Sequence, residues 1–225
     1  MNLGVRALSL NAIAIPSAST EAAGLLVGLH GWGANAKDLA TLAEYMDLSD
    51  YELLFVDAPF PHPQGFGGRM WYGFPLGYAF DTTLSDRDDL VQSRQHLHQW
   101  LLSLEEQTGI PLGRTFLAGF SQGGAMALDV GMQLPLAGVL VLSGYLHGPL
   151  NTPVQPAPPT LLVHGRQDQV VPIQAAHHTR SQLTAAAVPL TYCEFERMGH
   201  EIQPAVMEQI QSFVASIAMG WGETP

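Results

Sequence analysis

The sequence predicts an α/β protein, a mostly parallel sheet with helices on both faces. Short apolar runs bounded by glycine and proline recur along the chain. Longer stretches with apolar residues at helical spacing lie between them, so that the two kinds alternate. The short runs read as continuously apolar, as expected for parallel strands covered on both sides.

The first 15 residues alternate apolar and polar positions around Leu8, Leu10 and Ala12, with Ser9 and Asn11 between them. They read as a strand and not as a signal peptide. Further strands are expected at residues 24–30, 51–56, 114–118, 138–143, 160–164 and 190–196. Helices are expected at 37–46, 88–107, 122–134, 173–187 and 203–218. Asn35 reads as an N-cap with Asp38 in the first turn. The helix from residue 88 carries Leu90, Leu97, Leu101 and Leu104 on one face, and Gly109 and Pro111 end it. Residues 59–83, rich in glycine, proline and aromatics, and the proline-rich residues 149–159 read as loops. The second is no domain boundary, because the strand that follows it is needed to complete the sheet. Residues 1–225 are therefore expected to form a single domain.

Composition excludes several function classes. The chain has 225 residues, 47% hydrophobic and 13% charged, a net charge of −11 and one lysine, Lys37. Such an acidic surface offers no basis for binding a phosphate backbone or an anionic membrane, so no nucleic-acid partner is expected. No apolar stretch reaches the ~20 residues of a membrane span, and no stable membrane insertion is expected. Cys193 is the single cysteine, so an intrachain disulfide is impossible. These features lead us to expect a soluble, cytoplasmic enzyme.

Its chemistry should lie just beyond the carboxyl ends of the strands, where open α/β sheets bind ligands. Gly119-Phe120-Ser121-Gln122-Gly123 sits between an apolar strand and a helix, the nucleophile-elbow pattern. A turn this tight strains the serine backbone and crowds positions two residues away, so glycine flanks it on both sides. Ser121 is thereby exposed as a nucleophile. The Gln122 amide at the helix N-terminus can face an oxyanion. Serine needs a base, and the base an orienting acid. Among nine histidines, His200 is preferred, because it lies on the loop after the last strand. His30 and His164 also follow strands and are the alternatives, while His96, His98, His177 and His178 fall within helices. His177 and His178 are adjacent and share no helix face, so no metal pair is expected. Asp168, on the loop after the 160–164 strand, is the candidate acid. A helix cap is its other reading. Asp57 precedes the serine and Asp129 lies inside its helix, so neither fits the order serine, acid, histidine. His30-Gly31-Trp32-Gly33 follows an early strand, and the Trp32 amide is the candidate second oxyanion donor.

Four of these segments, namely His30 to Gly33, Gly119 to Gly124, His164 to Pro172 and Gly199-His200, together with Leu142-Ser143-Gly144-Tyr145, carry a resemblance. They resemble the phospholipase/carboxylesterase family of α/β-hydrolases, which includes acyl-protein thioesterases. The resemblance implies a minimal α/β-hydrolase fold without a large cap. It also implies a cofactor-free hydrolase with Ser121, Asp168 and His200 as triad and the amides of Trp32 and Gln122 as oxyanion hole. Trp32 departs from the family, where leucine is common. The expected activity is cleavage of carboxylic esters, thioesters or lysophospholipids through an acyl-enzyme, the partner being a small-molecule or acyl-chain ester. Trp71, Tyr72 and Phe74, in the glycine-rich loop, are candidates for an apolar wall binding that substrate. A non-catalytic ligand-binding member of the fold and a peptidase of the same fold are the alternatives.

Overall fold

The computed structural model describes residues 10–75, 77, 78, 80, 83, 84 and 87–222. In chain order the strands are β1 (Ala12–Ile15), β2 (Gly24–Leu29), β3 (Tyr51–Val56), β4 (Phe60–Pro61), β5 (Arg69–Met70), β6 (Thr115–Phe120), β7 (Gly138–Leu142), β8 (Thr160–Gly165) and β9 (Leu190–Phe195). The helices are α1 (Ala36–Ala40), α2 (Asp88–Thr108), α3 (Gln122–Gly131), α4 (Ile173–Ala185) and α5 (Pro204–Ala218). Seven strands form one sheet in the order β1-β3-β2-β6-β7-β8-β9. Within this sheet, among the described residues, only β1 is antiparallel to its neighbour.

Alternate strand residues feed two cores. Leu25, Val27, Leu117, Val139, Val141 and Leu162 pack with Leu90, Leu97, Leu101, Met126 and Leu183 of α2, α3 and α4. Leu26, Phe116, Leu140, Leu161 and Val163 pack with Val206, Met207, Ile210 and Val214 of α5 and with Ala36 of α1. This two-sided burial is why the strands read as unbroken apolar runs. After β2 the chain steps outward to β3, and after β6 it steps the other way to β7. The order therefore reverses between β2 and β6, the crevice where an open sheet binds ligands.

Local signals set the helix ends. Asn35 and Asp38 form a reciprocal capping box on α1, and Gly109 closes α2 with a left-handed φ of 74°. The helix expected over 37–46 is a short α1 continued as a 3₁₀ turn, Thr41–Tyr45. There the Thr41 hydroxyl donates to the Asp38 carbonyl at 2.7 Å and competes with the helical ladder. The helix expected to reach residue 134 ends at Gly131. In the 59–83 loop, β4 and β5 pair antiparallel, a two-rung ribbon too short to register as a pattern. Of the expected N-terminal strand, residues 1–9 lie outside the described residues.

Phe116 is fully buried and touches the rings of Tyr51 and Trp221, at 6.2 and 5.8 Å between centroids, on the sheet edge opposite the carboxyl ends. Phe116→Ala should lower the unfolding free energy by roughly 3–5 kcal/mol. Urea denaturation reads this loss, and a change below about 1 kcal/mol would show that this end of the core is not close-packed.

Candidate active site

The elbow depends on the approach of bare backbones. A Cβ at Gly119 would lie 2.1 Å from the Gly123 carbonyl oxygen, and one at Gly123 would lie 2.2 Å from that of Leu29. Neither position tolerates a side chain, so α3 folds tightly back against β6 and also against the end of β2. Ser121, between them, is held at φ 55°, ψ −117°. A non-glycine residue in such a region costs about 1–3 kcal/mol, and the cost is borne where the side chain must project from the turn.

His200, on the loop between β9 and α5, reaches Ser121 and Asp168 together. Its Nδ1 lies 2.7 Å from Asp168 Oδ2, and its Nε2 lies 2.9 Å from Ser121 Oγ. A carboxylate can only accept, so Nδ1 carries the proton and the unprotonated Nε2 faces the serine hydroxyl. Asp168 is itself fixed, its Oδ1 accepting the amides of Val170 and Val171 at 2.8 Å each. Burial pushes its pKa up, but the His200 hydrogen bond and these amides outweigh that and hold it below the usual range. Asp168 is not the cap of α4, whose N-cap is Pro172 with no side-chain bond. Phe120 packs its ring on His200 at 4.8 Å.

The alternative candidates His30, His164, Asp57 and Asp129 are engaged elsewhere. His30 is buried. Its Nε2 accepts from the Ala58 amide at 3.0 Å, which puts the proton on Nδ1, donated to the Gly31 carbonyl at 2.7 Å. His164 is buried in β8 and donates from Nε2 to the Val171 carbonyl at 2.9 Å, with that nitrogen 3.5 Å from Asp168 Oδ2. It therefore sits under the acid as a support. Asp57 Oδ1 accepts the Ala36 amide at 2.8 Å. Asp129 takes the Arg94 guanidinium and His147 Nδ1.

The oxyanion candidates lie on neighbouring strands, Trp32 beyond β2 and Gln122 beyond β6. Neither amide meets an acceptor among the described residues, so both are available as donors. Trp32 is 44% exposed, and its ring lies against His62 and Phe74, with centroids at 4.0 and 6.0 Å.

The substrate wall needs correction. Trp71 and Tyr72 are fully buried and present no face to a ligand. The Trp71 indole donates to the His30 carbonyl at 3.0 Å, and the Tyr72 hydroxyl lies 2.7 Å from both the Tyr145 hydroxyl and His147 Nε2. The large apolar ring surfaces favour burial, and these bonds pair the N–H and O–H that would otherwise oppose it. Phe74 is partly buried in an aromatic cluster with Tyr78, Phe80 and Trp32. Sequence reasoning missed His62, His147, Tyr145 and the side chain of Gln122. Gln122 stood within the elbow motif, where its backbone drew the attention, and Tyr145 closed the Leu142-Ser143-Gly144-Tyr145 stretch without being given a role.

Residues 10–218 match the family described as phospholipase/carboxylesterase. The chain belongs to that family. Family membership makes it a serine ester hydrolase, with a minimal α/β-hydrolase fold and no large cap among the described residues. The chain is similar to acyl-protein thioesterase 1 of Gibberella zeae, 26% identical over 90% of this chain and 93% of that one. It is also similar to lysophospholipase-like protein 1 of Mus musculus, 30% identical over 84% of each. Among solved structures, esterase PE8 superimposes with a TM-score of 0.85 at 29% identity, covering 93% of this chain and all of that one. No helix among the described residues is long and apolar enough to cross a membrane.

Ser121→Gly and Ser121→Ala both remove the hydroxyl, but only glycine relaxes at φ 55°. The glycine variant should therefore be the more stable by about 1 kcal/mol, and equal urea midpoints would show that the turn is unstrained. Burial also lowers His30, His147 and His164 from an ordinary 6.5. Groups depressed in the folded state stabilise it fully above pH 6.5 and lose that contribution as pH falls through their folded values. The lowered Asp129 and Asp168 extend the loss into the carboxylate range. In high salt, which screens the acidic surface, the melting temperature should fall continuously below pH 6.5. A rise on acidification would contradict the assignment of neutral buried rings.

Proposed function

We propose that this family member hydrolyses carboxylic esters or thioesters of an acyl chain in two steps, with Ser121 as nucleophile, His200 as general base and acid, and Asp168 as its orienting partner. The observation that carries the reading is the His200 imidazole, hydrogen-bonded at 2.7 Å to Asp168 Oδ2 with its other nitrogen 2.9 Å from Ser121 Oγ. His200 Nε2 takes the hydroxyl proton as Ser121 Oγ bonds to the acyl carbon. The oxyanion that forms is held by the amides of Trp32 and Gln122. Collapse of the tetrahedral adduct breaks the bond to the alcohol or thiol, which leaves with the proton from His200. Water then attacks the acyl-enzyme, giving its proton to His200, and Ser121 is released with the carboxylic acid. Every group that the protein supplies to these steps is an amino-acid side chain or backbone amide, so the steps as written call for no cofactor or metal.

Phe74, with Trp32 and Phe80 beside it, is the apolar surface we assign to the acyl chain. The relatives named as thioesterase, esterase and lysophospholipase-like proteins support an acyl substrate. The net charge of −11 disfavours a strongly anionic leaving group. The free, partly buried thiol of Cys193 suits a reducing cytoplasm, where we place the enzyme.

The test is a series of p-nitrophenyl esters and matching thioesters of increasing chain length. Ser121→Ala should abolish turnover throughout the series, and Asp168→Asn should lower kcat by roughly 10⁴-fold, because the wrong imidazole tautomer then faces the serine. Hydrolysis surviving in Ser121→Ala at the wild-type rate defeats the mechanism.

A further inference from the structure

The two oxyanion amides sit on separate stretches of chain, and one short segment is bonded to both. The Gln122 side-chain oxygen accepts the Trp71 amide at 2.8 Å, and the Gln122 side-chain nitrogen donates to the Tyr72 carbonyl at 2.7 Å. From the same segment the Trp71 indole nitrogen donates to the His30 carbonyl at 3.0 Å. Backbone bonds extend this contact, Gly33 donating to the Arg69 carbonyl at 2.9 Å and Arg69 to the Ala34 carbonyl at 2.8 Å. The Ser93 hydroxyl of α2 holds the Trp71 carbonyl from the other side.

From these contacts we infer that Trp71 and the side chain of Gln122 are positioning residues that clamp both halves of the oxyanion hole into one unit. The inference rests on the reading of Trp32 and Gln122 as oxyanion donors. Trp71, Tyr72 and Gln122 are fully buried, and His30 nearly so, so water cannot replace the bonds if they are lost. The primary amide is also used directionally, its acceptor facing an N–H and its donor facing a carbonyl. Neither a flipped amide nor a carboxylate can reproduce that pattern. The backbone of Gln122 thus offers its amide to the reaction while its side chain grips the segment that holds His30, two residues before Trp32. A clamp of this kind acts on the spacing of two donors, and that spacing matters only once negative charge has formed between them.

The loss should therefore fall on kcat. Trp71→Phe keeps an aromatic ring and removes the indole donor. Replacement of Trp71 by its benzothienyl isostere removes the N–H while keeping the bicyclic shape, and so answers the question even if Trp71→Phe packs poorly. With active sites counted by titration with a fluorophosphonate, kcat on a p-nitrophenyl ester should fall about tenfold, less than the 10²–10³ of a whole lost donor. KM should stay within about twofold, since ground-state binding is untouched. Affinity for an alkyl boronic acid, which forms a tetrahedral adduct on the serine, should weaken by the same factor as kcat/KM. An effect on packing alone would lower the melting temperature and the titratable fraction but leave kcat per site unchanged, and that result overturns the clamp. A rise in KM at constant kcat also overturns it, by making Trp71 a binding residue. Hydrolysis retained by Ser121→Ala in the same assay overturns the underlying reading of the site instead, so the two failures are distinguishable.

Discussion

The approach of backbone to backbone at the start of α3 is the constraint on which the rest of the site depends. Because Gly123 has no side chain, the first turn of α3 lies against the carbonyls of Leu29 and His30 at the end of β2. That contact brings the crossover point of the sheet, the strained serine and the loop bearing Trp32 together. The helix also starts with an amide unspent, since a first helical turn has no internal acceptors. A side chain at residue 123 would separate Ser121 from the loop bearing Trp32 before it disturbed either core. The cores explain why the sheet exists, and this contact explains why its edge can do chemistry.

Among the described residues, two chains of carboxylate, imidazole and hydroxyl can be compared. Asp168, His200 and Ser121 form the first; Asp129, His147 and Tyr72 form the second, with matching bonds of 2.7–2.9 Å. In both, the carboxylate fixes the tautomer and the bare nitrogen faces an O–H. The second chain is sealed. Burial lifts the Tyr72 hydroxyl well above its ordinary range and keeps His147 neutral, and the Tyr145 hydroxyl lies beside the phenol oxygen. It serves as a tie between α3 and the Trp71-Tyr72 segment. The first chain differs in that its serine, though only 9% exposed, stands on the strained turn, and its histidine is reached from solvent, with a side chain 17% exposed. The same three groups therefore hold structure in one place and are poised for proton transfer in the other.

The α/β architecture was legible because burial on both faces leaves an unmistakable mark on parallel strands, as in Val139, Leu140 and Val141 of β7. The triad candidates were legible because reaction geometry confines them to strand ends, and Asp168 and His200 each follow one directly. The ends of α1 and α3 were less so. Whether a last turn stays α-helical depends on a side-chain bond such as that of Thr41, which apolar spacing does not record. The misreading of Trp71 and Tyr72 has a similar source. A loop rich in glycine and aromatics is written alike whether its rings face a ligand or the interior. The deciding partners, His30 and His147, are about 40 and 75 positions away in the chain. Pairings over such distances leave no local pattern.

The dihedral angles of Ser121 bear on how such a chain changes over generations. The residue we assign as nucleophile is one the fold would be better off without, since the turn would relax if glycine stood there. A gene copy no longer needed for hydrolysis would gain stability from a change of this serine to glycine, which would also silence it. Chemistry and folding pull in opposite directions at this one codon, and drift alone would empty it. A serine at a left-handed φ thus carries a cost in stability that a role in catalysis would account for.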